Sequence, residues 1–394
     1  MKTYVFTNRV YPPVGGATGV LLKELAEGLA AGGARVVVVT SKSAASGGHR
    51  APPQNKEVVN GVEVIRVGSA PFTRSSHARR ALSYLGLYPQ FAWQVRRLGA
   101  VDAIVSMTDP PLQVAPVTLA SGKARKRVHW AQDVYPELAE ELGVIGRGGV
   151  LARLLRSVST RALRRQDEVV VVGRCMRGRL VSRGIDAGKI EVIPNWIPFG
   201  PAPAGNATAV RERLGWRGKF VALYSGNLGL AHDFGTLLAA AKILRGTGVH
   251  MVFAGEGPRI TEIRRGAEGL DNVSFLPPQP GQDLGAFLEA ADIHLVTVRA
   301  GLSGLVVPSK LYGILAAGRP AVYTGPRDSE AAFVLRDTGA GVVAGNGDAA
   351  AVASALQHAA ANPGVVQTMA EAARVAARQF TFAKALEKWH EVLG

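Results

Sequence analysis

Short apolar runs rich in Val and Ile alternate with longer segments of helical period, the pattern of βα units wound around parallel sheets. In the first half the runs predict strands over Tyr4–Thr7, Arg35–Thr40, Val62–Val67, Ala103–Ser106, Val128–Ala131, Val169–Val172 and Glu191–Ile193. The rhythm restarts with Phe220–Tyr224, His250–Ala254, Val273–Leu276, Ile293–Val296 and Ala321–Tyr323, separated by helices such as Phe234–Leu244 and Asp348–Ala361. Between the halves, residues 194–203 contain Pro194, Pro198, Pro201 and Pro203, which remove backbone donors and favour extended chain, so this stretch predicts a linker. The fold class is α/β, with an N-terminal domain over 1–197 and a C-terminal domain over 198–375, both Rossmann-like. Residues 376–394 form a closing helical segment, amphipathic over Phe382–Leu393, for which the N-terminal domain is one surface to pack back on.

Composition narrows the class. A chain of 394 residues that is 47% hydrophobic can bury a core in each of two domains, which excludes disorder and collagen. The single cysteine, Cys175, has no internal disulfide partner, and no Cys/His cluster shows zinc spacing, so a reducing cytosolic setting is expected. Met1–Asn8 runs into the first strand without signal-peptide features, and no run of about 18 apolar residues forms a membrane span. The formal net charge is +16, and its placement is uneven. Residues 1–200 hold 28 basic and 14 acidic side chains, against 18 and 16 in residues 201–394.

Tandem α/β domains bind ligands at the C-terminal edges of their sheets, so the loops after strands hold the candidate chemistry. The first, Asn8–Gly19, contains Gly15-Gly16 before a helix predicted to start near Thr18, and suits close approach of backbone to a phosphate or a sugar hydroxyl. A structural turn explains it equally, and it lacks the G-x-G-x-x-G spacing of dinucleotide sites. The loop Gln132-Asp133-Val134-Tyr135-Pro136-Glu137 places a carboxylate after a buried-looking strand, where Asp133 either orients a hydroxyl or caps a helix beginning at Pro136. In the second half, Gly226-Asn227 and Glu256-Gly257 lie in turns between a strand and a helix, although Glu256 equally reads as a solvated loop residue. The densest constellation is Arg299, Ser303, Gly304, Leu305, Ser309 and Lys310, a glycine-containing loop ending in Pro-Ser at a helix start with two cations nearby, which suits a diphosphate.

These residues in this order resemble the retaining glycosyltransferases of family four, which have the GT-B architecture of two Rossmann-like domains facing across a deep cleft. The carriers are the loop from Tyr11 to Gly19, Gln132–Glu137, Ile193–Trp196, Tyr224–Gly229, Ala254–Pro258, Val307–Tyr312 and Leu315–Pro320, so the likeness spans essentially the whole chain. It looks most similar to the branch of N-acetyl-L-fucosamine transferases that build bacterial surface polysaccharides. The resemblance implies a nucleotide-sugar donor, with UDP-sugar the expected class, held by Gly226, Asn227, Glu256, Gly257, Arg299 and the Ser303–Lys310 loop. Gly15 and Gly16 would line the cleft, and Asp133 would take the sugar-side position of the acceptor domain. The sequence departs from the family at two glutamates eight positions apart, which fall here on Leu305 and Gly313, and at the lysine after the Gly226 turn, where His232 and Asp233 stand. Ser309, Lys310 and Glu330 are the nearby substitutes for the lost donor contacts.

Glycosyl transfer needs a stabilised leaving diphosphate and a positioned acceptor hydroxyl, both obtainable from cations and amide N–H groups. No paired acidic motif for a divalent ion is visible, so neither a metal nor another cofactor is expected. The expected acceptor is lipid-linked or a saccharide, with retention following from the resemblance. One rival is a non-hydrolysing nucleotide-sugar epimerase, which needs no acceptor. A second is a nucleic-acid-binding protein, suggested by a pI near 10.3 but opposed by 6% aromatics and the absence of any recognised nucleic-acid motif. The N-terminal charge fits instead an anionic membrane surface and peripheral attachment to the inner face. Its carriers are Arg147, Arg153, Arg156, Arg161, Arg164 and Arg165 among leucines, and Arg74–Leu98 with its own arginines, leucines and Trp93. A solvated face and core packing are the plain alternatives for both stretches.

Overall fold

The structure is a computed structural model and describes residues 1–13, 16–42, 55–68, 77–197, 206–279 and 283–394. Gly15, linker residues 198–203 and Arg74 lie outside the described residues. The chain divides into one unit of residues 1–194, 304–306 and 383–394, and a second of residues 195–303 and 307–382.

The strands of the first unit are β1 (Thr3–Thr7), β2 (Arg35–Ser41), β3 (Lys56–Val59), β4 (Val62–Val67), β5 (Val101–Met107), β6 (Ala124–Ala131), β7 (Glu168–Val171) and β8 (Ile190–Val192). Its helices are α1 (Ala17–Ala31), α2 (His77–Arg97), α3 (Val114–Ala120), α4 (Glu137–Glu141), α5 (Val150–Arg164) and α6 (Arg174–Ser182). The second unit follows with α7 (Asn206–Arg213), β9 (Phe220–Ser225), α8 (Phe234–Ile243), β10 (Val249–Ala254), α9 (Ile260–Gly266), β11 (Val273–Leu276) and α10 (Leu284–Glu289). It continues with β12 (Ile293–Thr297), α11 (Lys310–Ala316), β13 (Ala321–Thr324), α12 (Glu330–Thr338), β14 (Gly341–Ala344), α13 (Ala349–Ala361) and α14 (Pro363–Ala377), before α15 (Phe382–Leu393) closes the chain.

Sheet order explains the hydrophobic pattern. The first sheet runs β3-β4-β2-β1-β5-β6-β7-β8, parallel except for the β3–β4 hairpin at its edge. Central β2 is covered on both faces and reads as an unbroken apolar run, whereas β3 alternates exposed and half-buried positions as an edge strand does. The prolonged runs of β1, β2 and β5 meet Leu87, Phe91 and Val95 of α2 and Val117 of α3 in one core. The second sheet runs β11-β10-β9-β12-β13-β14 and is parallel throughout. Counting from its own first strand this is the order 3-2-1-4-5-6, with the topological switch between β9 and β12.

Helix α15 belongs to the first unit. Its Trp389 is fully buried with its ring edge against Trp130 of β6 at 4.9 Å between centroids, and Lys388 pairs with Glu191 at 2.9 Å. The end of the chain thereby braces the strand that leads into Asp133.

Candidate functional site

In the second unit the loops after β9 and β10 are joined backbone to backbone. Gly226 N–H donates to the Ala254 carbonyl at 2.9 Å, and Leu228 N–H donates to the Glu256 carbonyl at 2.8 Å. This approach requires glycine: a Cβ on Gly255 would stand 2.0 Å from the Gly226 carbonyl oxygen, and one on Gly257 2.4 Å from that of Leu228. Gly226 itself has φ 128°, and it and Asn227 are exposed at the C-terminal end of β9, beside the switch point. The Tyr224 hydroxyl donates to the Asn227 carbonyl at 2.7 Å and braces the turn from beneath.

Lys310 reaches this turn from the first position of α11. Its Nζ lies 3.4 Å from the centroid of the Tyr224 ring, and a Cβ on Gly226 would stand 3.3 Å from it. That Nζ is buried and meets no hydrogen-bond acceptor among the described residues. Burial pulls the Lys310 pKa well below the ordinary lysine value. A ring face attracts an ammonium but does not replace the three acceptors it loses on leaving water. The other cations nearby are occupied. Arg259 is bidentate to Glu262 and donates to the His232 carbonyl at 2.6 Å, and Arg299 donates to the Leu230 carbonyl at 3.2 Å.

His232 and Asp233 do not take over the role of the family lysine whose place they occupy. Asp233 caps α8, accepting from Thr236 N–H at 3.3 Å, and it also holds Asn346 at 2.9 Å, a capping role worth about 1 kcal/mol. The His232 ring is turned inward, with Nδ1 donating to the Thr297 carbonyl at 2.7 Å, and burial, reinforced by Lys310, lowers its pKa to about 3. It is a neutral imidazole, and the basic group at this turn is Lys310, from a different element.

The remaining predicted donor residues are spread more widely. Glu256 contributes its carbonyl to the paired turns and leaves its carboxylate exposed. The Ser303 hydroxyl donates to the Asp328 carbonyl at 3.0 Å. Ser309 is the N-cap residue of α11 without a side-chain capping bond, and Glu330 is buried in the first turn of α12. Gly304 and Leu305 belong to the first unit. A Cβ on Gly304 would stand 2.6 Å from the Cys175 carbonyl, so that glycine allows close packing on α6, and the buried Leu305 offers its carbonyl to Val134 N–H at 2.9 Å.

In the first unit the switch point lies between β1 and β5, and the Arg9–Asp109 pair spans it in bidentate form at 2.7 and 2.8 Å. Sequence reasoning passes over Asp109. The available signal is Asp109-Pro110-Pro111, a carboxylate and two prolines directly after a buried strand. One strand further along, Thr108 Oγ1 accepts from Gln132 N–H at 2.9 Å and fixes the loop after β6. Gly16 is the N-cap position of α1, at φ 151°.

Asp133 sits on that loop, half-buried, and backs onto a cavity of about 20 Å³ lined by Thr108, His129, Ser159 and Arg183 among others. Burial, with a smaller contribution from Asp109, raises its pKa to about 7. Its carboxylate receives no hydrogen bond from the described residues, unlike Glu137 and Glu140 behind it, which are paired with Arg183 and Arg156. The helix-cap reading of Asp133 is corrected here: the N-cap residue of α4 is Pro136, no side chain caps that helix, and α4 itself has only five residues. His129 is buried beneath Asp133, bonded to Ser106 at 3.0 Å, and burial lowers its pKa to about 4.

Each unit thus presents a βα-loop platform, one with a buried cation lacking an acceptor and one with a carboxylate lacking a donor. Residues 16–196 match the family model of the glycosyl transferase 4-like domain, and residues 219–362 match that of glycosyl transferases group 1. One glycosyltransferase domain model thus matches in each half of the chain. It is 30% identical over 244 residues to WcaI of Escherichia coli K12, assigned as a glycosyl transferase of colanic acid biosynthesis, covering 59% of this chain and 60% of that protein. The glycosyltransferase WbjE of Pseudomonas aeruginosa is 27% identical over 246 residues, 61% of each chain. The chain therefore spans about three-fifths of the curated relatives it matches.

Solved structures carry the fold further than sequence does. HepE of Anabaena, crystallised with UDP-glucose, superposes with a TM-score of 0.75 over 100% of this chain and 99% of its own at 16% identity. A glycosyltransferase of Rickettsia africae gives 0.70 over 100% and 97% at 14% identity. The fold is GT-B, with two Rossmann-like domains in one chain.

Proposed function

We propose that this glycosyltransferase moves a sugar from a nucleoside-diphosphate donor, a UDP-sugar, to a lipid-linked or saccharide acceptor during assembly of a bacterial surface polysaccharide. The observation that carries the reading is Lys310: a buried amine without an acceptor among the described residues, directly beneath a glycine turn at the switch point of a 3-2-1-4-5-6 sheet, is suited to an anion that completes it. The leaving diphosphate would be stabilised by Lys310 and the Asn227 amide, over the close approach that Gly226 allows, with no metal required. Asp133, on the acceptor-side domain, would orient the attacking hydroxyl. Transfer with retention and a place in the N-acetyl-L-fucosamine branch rest on the sequence resemblance. The Anabaena complex with UDP-glucose supports the donor class, and the colanic acid relative supports a surface glycan as product.

A panel of nucleotide sugars screened by thermal shift, followed by mass spectrometry with lipid-linked and free saccharide acceptors, tests the proposal. Expected is stabilisation by one UDP-sugar and a product heavier than the acceptor by one glycosyl unit. An epimerised nucleotide sugar formed without acceptor would replace this reading with the epimerase one.

A further inference from the structure

Part of the basic surplus of the first half is gathered on neighbouring helices. In sequence, helices α2 and α5 carry eight arginines, and α2, α3 and α5 together contain no Asp or Glu; Arg156 is turned to Glu137 and Glu140, and the side chains of Arg79 and Arg80 lie outside the description. α3 packs against both α2 and α5, so the three helices lie side by side over the first sheet. Gln166, just beyond α5, donates to Thr118 of α3 at 2.7 Å, and Leu119 lines the same groove as Val95 and Arg96 of α2.

Apolar side chains stand out of this layer. Seven of the sixteen exposed large apolar residues among those described are on these three helices: Leu85 and Trp93 on α2, Leu119 on α3, and Val150, Leu151, Leu154 and Val158 on α5. Trp93 is 58% exposed, Leu119 73%, Val150 82% and Leu154 58%. Scattered exposed leucines are ordinary, but a cluster on neighbouring helices is not. On α2 the residues that pack on the sheet are Leu87, Phe91 and Val95, and Trp93 lies on the opposite side of the helix, with the Arg97 guanidinium over its ring at 5.9 Å. A merely solvated helix face would mix both signs of charge. This one interleaves arginines of a single sign with Leu, Val and Trp, which is the composition of a surface that settles into a bilayer interface.

We infer that the α2–α3–α5 layer is a docking surface for an anionic lipid bilayer. The exposed aliphatic and indole groups enter the headgroup boundary, and arginines such as Arg97, Arg161 and Arg165 face lipid phosphates. No helix is long and apolar enough among the described residues to cross a membrane, so this attachment is interfacial. It stands independently of which sugar the enzyme transfers.

The tryptophans supply the test. Of the five, Trp130, Trp196, Trp216 and Trp389 are at most 3% exposed, which leaves Trp93 as the one at the surface. The full chain is mixed with vesicles of phosphatidylcholine alone or with 30% phosphatidylglycerol, and both flotation and tryptophan emission are followed. Expected is flotation with the anionic vesicles and a blue shift that disappears in Trp93→Phe although that variant still floats. Leu151→Glu with Leu154→Glu should lower the vesicle partition coefficient at least tenfold with an unchanged melting temperature, because both side chains are already exposed. The inference is overturned if wild type ignores phosphatidylglycerol. It is equally overturned if the protein binds a DNA duplex as well as it binds vesicles and the double leucine variant keeps both, because charge alone would then account for the surface.

Discussion

Replacing Lys310 by Met is expected to weaken UDP binding by about ten- to a hundredfold, the 1.5–3 kcal/mol of a charge-assisted hydrogen bond, while the unliganded protein becomes no less stable. The two effects have one cause. Nζ is buried over Tyr224 without an acceptor among the described residues, so the free protein bears the desolvation of this amine and disfavours its protonation, a cost that only an anion compensates. Met keeps the aliphatic stem and removes the polar end, so the melting temperature of the free protein should hold or rise. A lysine with a purely structural role would behave in the opposite way, losing stability and leaving UDP affinity unchanged. The depressed Lys310 pKa adds a sign that can be checked. A diphosphate favours the protonated amine, so binding takes up a proton, and affinity falls as pH rises above the free-state pKa. Calorimetry in two buffers of different ionisation enthalpy reads that uptake in wild type, and it should vanish in Lys310→Met.

Asp133→Asn is expected to reduce turnover at least tenfold, about 1.4 kcal/mol of barrier, and to remove a limb of the pH–rate profile. With its pKa raised to about 7 by burial, Asp133 is divided between acid and carboxylate at neutral pH. If the carboxylate orients the acceptor hydroxyl, kcat/KM rises with pH and levels off above about pH 7, and the asparagine variant is flat across that range. Stability moves the other way. A folded-state pKa above the unfolded one means that the stabilisation is complete below the unfolded pKa and is lost as pH rises through about 7. The variant should therefore unfold at a higher temperature than wild type at pH 8. A profile that keeps its limb in Asp133→Asn would assign the titration to another group.

Most strands were legible because parallel strands covered on both faces are apolar runs, and β2 with Val36 to Val39 is the clearest instance. The two strands missed were β3 and β14. β3 is a half-exposed edge strand without an apolar run, although the Asn60-Gly61 pair that turns it into β4, with φ of 48° and 81°, is a hairpin signal present in the sequence. β14 is four residues long and begins at Gly341, whose missing Cβ lets it lie against the Ala321 carbonyl. The glycine turns of the candidate site were equally legible, because backbone contact leaves a compositional trace. What could not be read was which polar groups are satisfied. Asp233 and Lys310 stand 77 positions apart, and only the fold reveals that the first caps a helix while the second comes beneath Gly226 without an acceptor. Leu305 shows the same limit, since its role passes through a carbonyl bonded to Val134 rather than through its side chain.

A crystal structure of the full chain with UDP tests the central claim most directly. The account predicts a diphosphate oxygen within hydrogen-bonding distance, about 3 Å, of Lys310 Nζ, over the Gly226-Asn227 turn. UDP bound elsewhere, with Lys310 still lacking an acceptor beneath an empty turn, would contradict it.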